Sequence, residues 1–326
     1  MITARSFAMG HSKTRLLASF GPDEKTRSIQ LYGTAADALG DATEILVGEW
    51  GVDHIDMNFG CPVRKVTANG GGAAIPARPR LMAKLVRAVV ARAGDVPVTV
   101  KFRKGVDDDL LTYRDAGRVA VEEGARAIAL HARTAAQLYA GEADWDAIAD
   151  LKSAVTEVPV LGNGDVFEAW DALRMMRATG CDGVVVGRGC LGRPWLFGEL
   201  CAVFDGGEPA APPSLGAITE VAAEHAALLC DWFGEPVGIR NMRKFLGWYL
   251  KSFPGMRARL PALQKATTLA ELRALLAHLP RDLPFPAEGL RAKRCKGGRT
   301  QKVSLPHGFL DHDEPVVEDP LEIDGG

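Results

Sequence analysis

The sequence predicts the α/β class: an N-terminally truncated (β/α)8 TIM barrel followed by a small C-terminal helical bundle. Three observations carry that prediction. Residues 27–200 alternate short apolar runs with helix-compatible stretches. Residues able to do chemistry stand at or just past the C-terminal end of one run after another. After residue 214 the spacing of apolar residues becomes helical up to Pro280, and from Arg281 the chain reads as a Pro/Gly-rich extended tail.

The predicted strands are Arg27–Gly33, His54–Gly60, Pro97–Arg103, Ala127–Arg133, Pro159–Asp165 and Gly183–Arg188. Each is short, rich in Val or Ile, and closed by polar or glycine residues. Arg80–Ala93, Asp109–Glu123 and Glu168–Thr179 between them suit helices. This alternation implies parallel strands with helical crossovers. An open doubly wound sheet and a closed barrel both satisfy it. Asn58, Cys61, Lys101, His131, Arg133, Asn163, Asp165 and Arg188 decide for the barrel, which gathers successive strand ends around one mouth. An open sheet would spread them along an edge, with a site only at its switch point. Six strands are visible where eight are needed, and residues 1–26 supply at most the stub of one more.

Asp205–Ser214 is a linker by its Pro and Gly content. Leu215–Phe233 and Val237–Phe253 read as helices. Thr268-x-x-Glu271 is a capping box for a third, with Leu269, Leu272, Leu275, Leu276 and Leu279 on one face and Pro280 closing it. The expected organisation is a barrel domain over 1–205, a linker over 206–214, a helical domain over 215–285, and a basic then acidic tail over 286–326.

With 326 residues and 47% hydrophobic content, the chain can build one large core and a smaller satellite. A net charge of −2 is silent on nucleic acid, so any anion-binding surface must be local. The six cysteines form no C-x-x-C pair, which speaks against a zinc site or a disulfide framework, and no metal is expected. Reduced thiols and a cytoplasmic location are the default. No apolar run is long enough to span a bilayer. The N-terminus carries Arg5, His11, Lys13 and Arg15 with no acidic residue before Asp23, as a transit peptide would. We read it instead as part of a truncated barrel domain.

Cys61 stands on a turn after a strand, between Gly60 and Pro62. A protonated thiol there serves as a general acid or as the precursor of a nucleophile; the alternative is a small buried hydrophobe. Lys101 ends an apolar strand, where an ammonium is costly to bury without an anion. A flavin ring that gains negative charge on reduction would suit it, and so would a carboxylate such as Asp56. Gly162-Asn163-Gly164-Asp165 and Gly187-Arg188-Gly189 end the last two strands, where these barrels often build phosphate sites; ordinary tight turns are the alternative. His131 and Arg133 end another strand, and the imidazole suits a hydrogen bond to a ring or base. Residues 238–261 hold Arg240, Arg243, Lys244, Lys251, Arg257 and Arg259 with no acid, and residues 291–302 add six Lys or Arg. Two such runs in a slightly acidic chain point to a polyanion rather than to a merely solvated face. The last sixteen residues carry seven carboxylates and read as a disordered acidic end.

Taken together these segments resemble the tRNA-dihydrouridine synthases, in their bacterial DusB-like branch. The resemblance rests on Asp56–Pro62 with Lys65 and Gly70–Ala74, on Thr99–Arg103, and on His131–Thr134 with Tyr139 and Gly141. Asn163-Gly164-Asp165, Gly187-Arg188 and Gly192–Phe197 complete it, over residues 1–310. It implies an FMN-bearing barrel, a helical tRNA-binding domain, and NADPH or NADH as reductant. Hydride passes to C6 of a D-loop uracil and a cysteine protonates C5. By matching position Cys61 is that acid. Gln30, Lys101, Asn163, Gly164, Asp165, Gly187 and Arg188 match flavin ligands, His131 lies against the ring, and Asn58 lies beside the uracil. Arg133, Arg240, Arg243 and Lys244 are expected to touch tRNA, and a monomer is expected. The target base must leave its stack.

Family members open with a strand bearing a Pro-Met-Ala-Gly-type motif. Met1-Ile2-Thr3 matches the end of the second strand, so the expectation is a start upstream of this methionine. Two rival functions remain at this stage: a free-pyrimidine flavin dehydrogenase, for which the basic helical domain has no use, and a truncated tRNA-binding remnant without activity.

Overall fold

The computed structural model describes residues 1–292 and 298–311, which fall into two compact units. The first comprises Met1–Gly164, Met175–Val185 and Gly297–Gly326; the second comprises Asp165–Arg174 and Val186–Lys296.

In the first unit seven parallel strands form one TIM-barrel-like sheet in chain order: β1 (Ile2–Thr3), β2 (Ser28–Tyr32), β3 (His54–Phe59), β4 (Val98–Arg103), β5 (Ala127–His131), β6 (Val160–Asn163) and β7 (Gly183–Val185). All six predicted strands are present, each trimmed at one or both ends, and the expected stub is β1. The trimming has a local cause at Pro97 and Pro159, which have no N–H for the ladder. Their carbonyls still accept, from Ile55 at 3.1 Å and Ile128 at 3.0 Å. The residues between β1 and β2 fold into two short helices, Ala4–Ala8 and Ser12–Ala18, with Phe7 and Ala18 fully buried.

The two faces of this sheet differ in chemistry. One is apolar and closed: Ile55, Met57, Phe59, Val98, Val100, Phe102, Ile128, Leu130 and Val160 are all 2% exposed or less. Helices cover it. Pro79–Ala93 turns Leu81, Met82, Leu85, Val86 and Val89 inward at helical spacing. Pro79 starts that helix because its missing N–H would go unused there, and Gly94, at φ 58°, ends it. Each such buried side chain contributes about 1.5–3 kcal/mol. Along β2 to β4 the other face is lined by Ser28, Gln30, His54, Asp56, Asn58, Thr99 and Lys101, which alternate with the apolar set. A barrel interior is ordinarily packed with branched apolar side chains. A polar interior needs another use.

The second unit is helical: Leu196–Phe204, Leu215–Phe233, Glu235–Leu250, Met256–Lys265, Leu269–Ala277 and Ala287–Leu290. Residues 206–214 lie within it. Its core includes Leu215, Ile218, Ile239, Met242, Leu246, Leu250, Phe253, Leu272 and Leu276. Thr268 caps Leu269–Ala277 by accepting from the Glu271 N–H at 3.2 Å. The sequence does not predict the helix Met256–Lys265, because Pro261 inside it reads as a breaker. Arg193, fully buried, donates to the carbonyls of Phe167 (2.8 Å) and Leu290 (2.9 Å) and pairs with Glu199 at 3.2 Å. Most of the basic run before residue 298 and the acidic end after 311 lie outside the described residues. Among the described residues no helix is long and apolar enough to cross a membrane.

Candidate active site

The polar face of β2 to β4 is one continuous hydrogen-bonded system. Gln30 Nε2 donates to Asp56 Oδ2 at 2.6 Å, and the Thr99 hydroxyl donates to Asp56 Oδ1 at 2.7 Å. With its proton given to Asp56, Thr99 can only accept from His54 Nε2, 2.9 Å away. His54 Nδ1 then accepts the Ser28 hydroxyl at 2.7 Å. This fixes the Nε2–H tautomer. Burial lowers the His54 pKa, against an opposing pull from Asp56, so the ring is neutral at neutral pH. At the other end Gln30 Oε1 accepts from Asn58 Nδ2 at 2.8 Å.

Asn58 carries the network into the loop that follows β3. Its Oδ1 accepts from the backbone N–H groups of Gly60 (3.0 Å) and Cys61 (3.1 Å). The carbonyls around Cys61 are held as well. Arg103 Nε donates to Gly60 O at 2.8 Å, and the Ala73 N–H donates to Cys61 O at 3.0 Å. Arg103 is 3% exposed, and its Nη1 also donates to Thr134 O and Leu138 O, both at 2.9 Å. One guanidinium thus ties the loop after β3 to the loop after β5. The half-buried Cys61 side chain on this turn is a free thiol.

Gly72 sets how closely the returning chain packs on that turn. Its φ is +55°, and a Cβ there would lie 2.6 Å from the Cys61 carbonyl oxygen. Gly72→Ala is expected to lower stability by roughly 1–3 kcal/mol and to displace the Cys61 turn. Urea unfolding together with the rate of Cys61 alkylation checks this; an unchanged pair of values would contradict it.

Lys101 pairs in register with Asn58 on one side and with Ala129 on the other. Beyond Ala129 the same row continues through Leu161 to Gly183. Desolvation, aided by the Arg103 charge and opposed by Asp56, brings the Lys101 pKa down to about 8. Asp56 is the carboxylate the sequence offers as its partner, but both Asp56 oxygens are engaged by Gln30 and Thr99. The next row pairs Arg103 with His131, His131 with Asn163 and Asn163 with Val185. Asn163 Nδ2 donates to Val185 O at 2.6 Å. His131 is 7% exposed, 6.3 Å from the Tyr139 ring. Gly164 O accepts from Trp145 Nε1 at 3.1 Å. Arg133 is fully buried and shapes its own loop, donating from Nε to Ala140 O (3.0 Å) and from Nη2 to Gly141 O (2.9 Å).

Gln30, Asn58, Cys61, Lys101, His131, Arg133, Asn163 and Gly164 therefore belong to the first unit, most of them on adjacent strand ends. Asp165, at φ 58°, and Gly187, Arg188, Arg240, Arg243 and Lys244 belong to the second unit. Arg240, Arg243 and Lys244 are exposed side chains of Glu235–Leu250 at i, i+3 and i+4 spacing, beside its buried Ile239, Met242 and Leu246. Tyr249 and Phe253 of the same basic run are core residues. The polar partners His54, Asp56, Thr99 and Arg103 are absent from the site predicted by sequence. Their signal was available: polar residues at every second position of β3 and β4.

A family model described as dihydrouridine synthase (Dus) matches residues 1–281. A Mycobacterium tuberculosis protein named probable tRNA-dihydrouridine synthase is 51% identical over 328 residues, covering 100% of this chain and 84% of that one. Its Mycobacterium leprae counterpart, of the same name, is 48% identical, covering 100% and 86%. A Pseudomonas syringae protein named tRNA-dihydrouridine synthase B is 38% identical over 257 residues, covering 79% of this chain and 75% of that one.

Proposed function

Because this chain belongs to the dihydrouridine synthase family, we propose that it reduces uridine to 5,6-dihydrouridine in the D-loop of tRNA, with Cys61 as the acid. The observation that carries the proposal is the Cys61 turn, pinned by Asn58, Arg103 and Ala73 while its thiol is left for chemistry.

Saturating the C5=C6 bond of uracil takes a hydride at C6 and a proton at C5. A bound FMN, recharged by NADPH or NADH, supplies the hydride. Cys61 supplies the proton: the S–H bond breaks, a C–H bond forms at C5, and the thiolate is reprotonated from solvent. Asn58 orients the turn that presents this thiol and has one amide hydrogen left for the base. The first-unit residues fit a flavin. Burial brings the Lys101 pKa down to about 8 even with Asp56 opposing, and a ring that gains negative charge would favour its ammonium form. Gln30, His131, Asn163 and Gly164 are its proposed neighbours. The fit rests on these residues alone, because Asp165, Gly187 and Arg188 belong to the other unit. Arg133 acts through the 133–141 loop it holds.

Arg240, Arg243 and Lys244 form the proposed tRNA-binding face. Replacing all three with alanine is expected to weaken tRNA binding and to reduce the slope of log affinity against log salt by about 2–3, with flavin content unchanged. Fluorescence anisotropy at several salt concentrations reads both quantities. An unaltered slope would remove these residues from the interface.

Purified protein supplied with FMN and NADPH or NADH tests the overall reading. Nicotinamide oxidation is expected to depend on unmodified tRNA. Dependence on free uracil or orotate instead would establish the small-pyrimidine rival.

A further inference from the structure

The Cys61 turn has a fourth clamp, supplied from the far end of the chain. Gln301 lies 239 residues beyond Pro62. Its Nε2 donates one hydrogen to Pro62 O at 2.7 Å and the other to Ala135 O at 3.2 Å. Its backbone N–H donates to Ala136 O at 2.8 Å. Arg103 and Gln301 therefore do matching work on the two sides of Cys61. Arg103 joins Gly60 O to Thr134 O and Leu138 O; Gln301 joins Pro62 O to Ala135 O.

Eight residues further on, Phe309 anchors the same segment. It is 7% exposed and packs where a Cβ on Gly70 would come within 2.6 Å of its ring. Gly70, at φ +72°, belongs to the chain that returns from Cys61. The guanidinium of Arg78, 2% exposed, lies 5.1 Å from the Phe309 ring centre. The segment is thus fixed at one end to the Cys61 turn and at the other to the return of the same loop.

We propose that Gln301 is a positioning residue for Cys61: the 298–311 segment straps the loops after β3 and β5 and holds the thiol where the reaction needs it. The inference deepens the reading of Cys61 as proton donor and rests on it. A carbonyl released from its donor frees the turn to rotate, and small displacements of a reacting group cost large factors in rate.

The test uses Gln301→Met, which keeps length and packing but donates no hydrogen bond, in the full chain loaded with FMN. Iodoacetamide labelling of Cys61 is followed by peptide mass spectrometry, with the exposed Cys201 as internal reference. The strap requires the Cys61:Cys201 labelling ratio to rise several-fold. It also requires kcat on tRNA to fall on the order of tenfold or more with KM for tRNA held within about twofold. An unchanged labelling ratio overturns the proposal whatever the activity, and so does an unchanged kcat. If Gln301→Met fails to fold, as thermal unfolding would reveal, Gln301→Glu carries the same test with the same length and no N–H. Cys61→Ala separates the two levels. Full activity in that variant sinks the proton-donor reading, whereas failure of the Gln301 variants alone sinks only the strap.

Discussion

Cys61→Ala is expected to cut kcat for dihydrouridine formation about 10²–10⁴-fold, with FMN content, tRNA affinity and thermal stability close to those of the parent chain. The size follows from the role: losing a positioned general acid leaves C5 to be protonated by water. The selectivity follows from the structure. The turn is held through backbone groups, by Asn58, Arg103, Ala73 and Gln301, and none of these bonds uses the thiol. Removing Sγ therefore leaves the frame standing. Cys61→Ser, a far weaker acid of similar size, is expected to recover little. Steady-state rates with unmodified tRNA, beside flavin absorbance and thermal unfolding, check this. A variant that loses flavin and activity together would mean that Cys61 is part of the scaffold instead.

Lys101→Met is expected to act in opposite directions on stability and on cofactor binding. The folded-state pKa of Lys101 is about 8 against an ordinary 10.5, chiefly because burial penalises the ammonium. Between those values the unfolded chain holds a proton that the folded chain has released, so this group's contribution to stability rises with pH. Below pH 8 the whole cost is present. A methionine escapes it. The flavin-free variant is therefore expected to be more stable than the parent at pH 7 by on the order of 2–3 kcal/mol, a gain that fades as pH rises toward the ordinary lysine range. FMN affinity is expected to fall roughly ten- to a hundredfold, since a charged hydrogen-bond donor is lost. Urea unfolding of flavin-free protein at neutral and alkaline pH reads the first effect, and flavin titration the second. A flavin-free variant less stable than the parent at pH 7 would show that Lys101 is a structural residue rather than one kept for a ligand.

Much of this site is legible in the chain itself, because barrels place chemistry at strand ends and strand ends announce themselves. Asn58, Cys61, Lys101, His131 and Asn163 each stand at or just past the C-terminal end of a short, largely apolar run. The register of the folded sheet then sets Asn58 against Lys101 and His131 against Asn163. The inward network of His54, Asp56 and Thr99 was half legible: its period-two spacing is visible, but its meaning depends on three strands lying side by side. Gln301 was not legible at all. Nothing local distinguishes it from any other glutamine in a basic, glycine-rich tail, and its partners are carbonyls whose positions only the folded loops determine. Arg133 shows the same limit from the other side. An arginine at a strand end suits a phosphate or a base, yet its guanidinium is buried on Ala140 and Gly141. The helix around Pro261 was hidden because a local breaker is overruled by packing of Met256 and Leu263 into the core of the second unit.

The account stands most directly on one comparison. A strain lacking this gene is given back either the parent sequence or Cys61→Ala, and the nucleosides of its tRNA are analysed by mass spectrometry. The expected result is dihydrouridine restored by the parent and missing with Cys61→Ala, at equal protein levels. Dihydrouridine restored equally by both would contradict the assignment of Cys61 as the acid, and a level indifferent to the gene altogether would contradict the assigned activity.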